Sequence, residues 1–275
     1  MLLIKAENKT ILHTGDFRKH GYMGNALIPV LSKYIHQVDI LITEGTMLSR
    51  SHEQVKPERE IQKEIADVLK RHKYAFALTS STDIDRLASM KEACSTAHRN
   101  LLADKYQKGV MDIFTKHTTS PLYDFNNSFN FSGRSLVENP KIVGKMKHEG
   151  FLLPIRCSGE WLTRMVMEKY NDEEPHLIYS MWSGYYKGTE EQQIKEVSTI
   201  RSLFKPENIH DIHTSGHADC ETLAEVCQIV NPRLAIIPIH KDEKSDYRTL
   251  DISQELKDKV TTKSMVVGGV EIVIK

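Results

Sequence analysis

The sequence predicts an α/β protein, and three observations carry that expectation. Short apolar, β-branched runs alternate with segments whose apolar residues recur at helical spacing, the runs end in polar tips rich in Gly, Ser, Thr, Asp and His, and no repeat or low-complexity segment interrupts the alternation. With 275 residues, 40% of them hydrophobic and 27% charged, the chain can bury a substantial core and has room for two domains.

The elements follow in order. Leu2 to Ala6 and Thr10 to Leu12 flank Glu7-Asn8-Lys9, a turn signal, so the chain opens with a β-hairpin that runs out at Asp16. Val38 to Thr43 is a strand that delivers Glu44. After a polar stretch from Ser49 to Lys56, Pro57 opens a helix whose Ile61, Ile65, Val68 and Leu69 share one face. Tyr74 to Leu78 reads as a buried strand, and Thr79-Ser80-Ser81-Thr82 as the cap of a helix reaching His98 with Ile84, Leu87 and Cys94 inward. Leu101 to Lys116 continues the alternation, and Thr118 to Arg134 reads as an exposed excursion. Strands at Phe151 to Ile155 and Leu177 to Tyr179 surround a helix starting near Glu160, and Thr189 to Phe204 reads as a helix with Ile194, Val197 and Ile200 inside. A helix from Glu221 to Val230, a strand from Leu234 to Ile239 and a hairpin from Met265 to Ile274 around Gly268-Gly269 close the chain.

Charge narrows the function classes. Thirty-seven basic residues balance thirty-seven acidic ones, so no global field draws the chain to a polyanion and any such contact must be local. Cys94, Cys157, Cys220 and Cys227 form no CxxC and read as reduced packing residues rather than a disulfide framework or zinc ribbon. The opening Met-Leu-Leu-Ile-Lys-Ala-Glu is too soon charged for a signal peptide, and no apolar run approaches the roughly 20 residues of a membrane span. These features predict a soluble, cytoplasmic protein with no membrane partner.

Four polar islands stand at the ends of apolar runs: His13-Thr14-Gly15-Asp16-Phe17-Arg18, Thr43-Glu44-Gly45-Thr46, Ser215-Gly216-His217-Ala218-Asp219 and Pro238-Ile239-His240. Side chains at strand ends gather along one rim of a sheet, where distant carboxylates and imidazoles can meet a metal and a phosphate. Taken singly, each has a bland reading: Thr-Gly-Asp as a turn, Glu44 as a solvated acid, Gly-His as a structural loop. His13 lies an odd offset before Asp16, which points it to the opposite strand face as a structural histidine.

In order and content these islands resemble the metallo-β-lactamase superfamily, and more narrowly its β-CASP nucleic-acid-processing branch, which includes the bacterial J-type ribonucleases. The resemblance implies a partial metallo-β-lactamase-type αββα sandwich, formed by residues 1–50 and 188–275, with an inserted α/β β-CASP lobe at 51–187. It assigns Asp16 to bridging two zinc ions and His240 to ligating one, while Glu44 and His217 serve proton transfer and phosphate contact. Ser215 and Gly216, with the helix start beyond them, would offer donors to a phosphate oxygen. Ser80 and Ser81, with Arg86 one turn further, form a second possible phosphate clamp, against an ordinary helix cap. The aromatics of Met181-Trp182-Ser183-Gly184-Tyr185-Tyr186 could stack a base or pack a core, and His210 and His213 read as surface or satisfied histidines.

The sequence departs from the family in two places. His-x-His-x-Asp-His, the superfamily's main metal-binding signature, is absent, and His240-Lys241-Asp242 replaces the usual His-Gly-Glu. The resemblance therefore implies part of a zinc-dependent phosphodiester hydrolase acting on single-stranded RNA, inactive as the isolated chain. A missing amino-terminal portion, a split protein completed by a second polypeptide or a homo-oligomer partner, and a decayed relative all fit. The alternatives are a non-catalytic nucleic-acid-binding or assembly partner on the same fold and, more remotely, hydrolysis of a small ester.

Overall fold

A computed structural model of the chain describes residues 1–50, 55–261, 264–267 and 270–273. It divides into two compact units, Met1–Val55 with Ser215–Lys275, and Lys56–Thr214. Both are α/β. The first opens with β1 (Leu2–Ala6) and β2 (Lys9–His13), antiparallel and joined by Glu7 and Asn8 at φ of 48° and 60°. Two consecutive left-handed residues are what a two-residue hairpin turn needs to match strand twist. Helix α1 (Leu27–Tyr34) and β3 (Ile40–Glu44) complete this segment.

The second unit starts with α2 (Glu58–Arg71), where Pro57 precedes the first turn and Ile61, Ile65, Val68 and Leu69 are buried as their spacing predicts. Then come β4 (Tyr74–Leu78), α3 (Ile84–Ala97), β5 (Asn100–Ala103), α4 (Lys105–His117), β6 (Phe129–Asn130), α5 (Ser135–Glu138) and α6 (Pro140–Glu149). They are followed by β7 (Phe151–Ile155), α7 (Glu160–Lys169), β8 (His176–Tyr179), α8 (Gly184–Lys187), α9 (Lys195–Arg201) and β9 (Ile209–Asp211). The sheet order is β6-β5-β7-β4-β8-β9 with every pairing parallel. Its central strands are buried on both faces, which is why β4 and β8 read as unbroken apolar runs.

The structure differs from several expectations. The cap of α3 is Asp83, which accepts the Arg86 amide, rather than the Ser/Thr run before it. The excursion from Thr118 to Arg134 is pinned by buried Phe125 and Phe131. The Thr189 to Phe204 helix shortens to α9, because Ile194 sits in an extended conformation at its cap. The return to the first unit falls at residue 215 and not at 188, since Val197 and Ile200 join the second unit's core and β9 pairs with β8.

Back in the first unit, α10 (Cys220–Val230) is capped by Asp219, β10 (Ala235–Ile239) enters the sheet, α11 (Gln254–Asp258) follows, and β11 (Ser264–Val267) pairs with β12 (Val270–Val273). Gly268, Gly269 and Ile274 of the expected closing hairpin lie outside the described residues. The sheet order is β1-β2-β3-β10, and β2, β3 and β10 run parallel, so their carboxyl ends share one rim. One face buries Leu12, Leu41 and Ile236 against Leu31 of α1 and Leu223, Val226 and Cys227 of α10. The other carries Ile11, Ile40, Ile42, Ala235, Ile237 and Ile239. At the opposite end of the strands the buried Asp39 carboxylate accepts from the Thr10 amide at 2.8 Å and from both Nε and Nη2 of Arg233, locking three strands together. The cysteines are free, and Cys94 and Cys227 are buried in the cores as expected. Among the described residues no helix is long and apolar enough to cross a membrane.

Candidate metal and phosphate site

The rim of the first unit's sheet collects all four islands. Glu44 is the last residue of β3, opposite Ile239 of β10, and it is fully buried. Its carboxylate accepts from the Phe17 amide at 3.1 Å and the Ala218 amide at 3.2 Å, and its Oε2 lies 2.8 Å from His217 Nδ1. One side chain thus ties the first and third islands together. A carboxylate has no proton to give to Nδ1, so His217 donates from that nitrogen and keeps the lone pair on Nε2.

His240 follows β10 with φ of 47°, an unfavourable conformation for a non-glycine residue. The bend is held by its carbonyl, which accepts from Thr46 Oγ1 at 3.0 Å and from the Gly45 amide. A Cβ at Gly45 would lie 3.0 to 3.1 Å from the side chains of Leu48, Lys241 and Tyr247, so a larger residue there would require them to shift by a few tenths of an ångström. Asp16 is placed by the turn at Gly15, φ 60°, and by the His13 ring, whose Nδ1 accepts the Gly15 amide at 3.0 Å. That turn role is the structural one expected of His13. His240 Nδ1 sits 2.9 Å from Asp16 Oδ1, and the His217 and His240 rings stand edge to face with centroids 5.0 Å apart.

One donor atom from each of Asp16, His217 and His240 lies within 4.8 Å of the other two. Sequence reasoning paired Asp16 with His240 for the metal, and the structure brings His217 to the same point. One carboxylate oxygen and two imidazole nitrogens, with half-exposed side chains around them, suit a zinc-type ion with an open position. These residues fit one ion. A second ion needs further donors.

Tyr247 was not singled out from the sequence. It is fully buried, donates its hydroxyl to the Glu44 carbonyl and contacts Thr43 Oγ1, and burial holds its hydroxyl pKa well above the usual phenol value. An isolated tyrosine seven residues beyond His240 gives no signal of this contact in the sequence.

The Ser215 hydroxyl accepts the His217 amide at 3.1 Å and donates to Met47 Sδ, while its carbonyl receives Arg18 Nη1 and lies 2.6 Å from His20 Nε2. Ser215 therefore shapes the loop, and Gly216 faces open space where a Cβ would meet nothing within 4 Å. The second phosphate clamp is not assembled. Arg86 is fully buried, with Nε 2.6 Å from Glu58 Oε1 and Nη1 on the Ser180 hydroxyl, and Ser81 is buried beneath Gln107, leaving Ser80 exposed beside Thr82. Among the aromatics after β8, Tyr186 lies under the Arg201 guanidinium at 3.7 Å and donates to Asp211, while Trp182 packs edge-on to Tyr185. His210, expected as a surface or satisfied histidine, lies beside His72 and His176 in the second unit.

Residues 204–260 match the family model described as RMMBL, the Zn-dependent metallo-hydrolase RNA specificity domain. Among curated proteins none matches the chain significantly. The matched segment contains Ser215, His217 and His240 together with α10 and β10. It supports a metallo-β-lactamase superfamily context and indicates zinc-dependent metallo-hydrolase chemistry with RNA specificity.

Proposed function

We propose that the chain forms part of a zinc-dependent phosphodiester hydrolase of the β-CASP type that cleaves single-stranded RNA, with 56–214 corresponding to the inserted lobe. The observation that carries this reading is the meeting of Asp16, His240 and the Glu44-anchored His217 on one strand-end rim, two of them inside the matched segment. Asp16 and His240 hold metal. Zinc, when bound, supplies Lewis-acid activation of water and offsets phosphate charge. Glu44 fixes the His217 tautomer, and His217 Nε2, with its lone pair free, takes a proton from the attacking water and, once protonated, contacts the phosphate and passes that proton to the leaving oxygen. The Phe17 and Ala218 amides keep the Glu44 carboxylate fixed while this happens.

Among the described residues the cluster offers three donor groups, so the remaining donors of a two-metal site come from a further segment or a second chain, without which the protein is inactive. The exposed Leu2, Leu3 and Ile4 of the edge strand β1 support this, because an apolar sheet edge left open to solvent suits a covering partner. In a form completed in cis or in trans, Glu44→Gln and His217→Ala should each lower RNA cleavage by about 10²-fold with zinc content near full. Asp16→Ala and His240→Ala should remove metal and activity together. A second reading, favoured by the distance of the His217 donor to the others, makes His217 a zinc ligand, and loss of zinc in His217→Ala would establish it. Full cleavage by His217→Ala would overturn both and leave a non-catalytic RNA-binding module on this fold.

A further inference from the structure

The second unit contains a group of imidazoles that the reading above does not use. His72 caps α2, His176 is the first residue of β8 and His210 lies in β9. Because β4, β8 and β9 are adjacent parallel strands, the three residues fall side by side at the amino ends of the sheet, the end opposite the one where parallel sheets build catalytic loops. The rings stack nearly parallel, His72 on His176 with centroids 3.4 Å apart and His176 beside His210 at 5.3 Å.

Two features mark this cluster. His176 Nδ1 and His210 Nε2 share a hydrogen bond at 3.0 Å, only a little inside the roughly 3.3 Å between two nitrogens on one tetrahedral zinc, so an ion could replace the shared proton with a small shift. A nitrogen of His72 completes a set whose members all lie within 4.8 Å, and binding a common ion requires the His72 ring to tilt out of its stack on His176.

We propose that His72, His176 and His210 form a second transition-metal site, taking one zinc-type divalent ion with three imidazole nitrogens and a water. The ion would clip the three-residue strand β9 and the end of α2 to β8, a structural role separate from the rim of the first unit. It therefore stands or falls independently of the hydrolase reading.

The test uses the full chain, without a histidine tag, carrying Asp16→Ala and His240→Ala to silence the other cluster. Zinc alone should bind at one ion per chain and raise the thermal midpoint by about 5 °C at a hundredfold excess over Kd, and cobalt should give a tetrahedral visible spectrum. His72→Phe keeps a ring for the stack while removing the nitrogens, and His210→Gln tests the edge strand. Each should weaken zinc binding at least tenfold with unchanged circular dichroism. No binding by the Asp16→Ala/His240→Ala chain below millimolar zinc would overturn the proposal whatever the variants do. So would a folded His72→Phe chain that binds as tightly.

Discussion

In the first unit the strand-end carboxylate of Glu44 is fully buried while its partners remain reachable: the His217 side chain is 22% exposed, and those of Asp16 and His240 are 53% and 55%. In the second unit the corresponding polar residues are closed on themselves. Arg86 donates to Glu58 and Ser180, Ser89 donates to Glu58 at 2.9 Å, and all four are buried. The same residue types therefore reach opposite ends. A fully satisfied buried network rigidifies, whereas a buried anchor with exposed partners leaves lone pairs available for a ligand.

The largest expected effect bears on the closed network. Removing one partner leaves a buried charge, so Arg86→Met or Glu58→Ala should cost about 3–5 kcal/mol in denaturant unfolding of the chain. A folded Arg86→Met protein of unchanged stability with weakened RNA binding would break the contrast, because Arg86 would then be a phosphate ligand.

A smaller effect concerns the root of the first unit's sheet. The Thr10 amide and the Arg233 guanidinium hold Asp39 below the usual carboxylate range despite its burial. The unfolded chain then binds more protons in acid, so this stabilisation is complete above about pH 4 and is lost as pH falls through the native value. Asp39→Asn should lower the thermal midpoint at pH 7 and flatten its decline below pH 4. Parallel curves for the two proteins would show that Asp39 does not couple the strands to pH.

Smallest of all should be Ser80→Ala. Its hydroxyl meets only Thr82 at an exposed turn, and Asp83 already caps α3, so stability should change by less than about 0.5 kcal/mol and RNA cleavage by the completed form should not change. A tenfold loss of cleavage would restore the phosphate-clamp role that Ser80, Ser81 and Arg86 have in the sequence alone.

Local chemistry made much of the fold legible. Glu7 and Asn8 specify a turn, Ile61, Ile65, Val68 and Leu69 specify a helix face, and apolar runs specify β3, β4 and β10, because each signal depends on neighbours within a few residues. Helix ends were less legible. Asp83 competed with four adjacent hydroxyls for one cap, and α6, with Asn139 and Pro140 at its start and Ile142 one turn before Met146, has no counterpart among the expected elements.

The alternation of elements and the order of the four polar islands are written in residue type and spacing. The role of each polar residue depends on which distant groups the folded chain places beside it. The loop before α10 sets His217 against Glu44, 173 positions away, and helix packing sends Arg86 inward to Glu58. Sheet order brings His72, His176 and His210 together. Burial and partnership between residues so far apart arise from the parallel register of strands, a property that no local window of sequence contains.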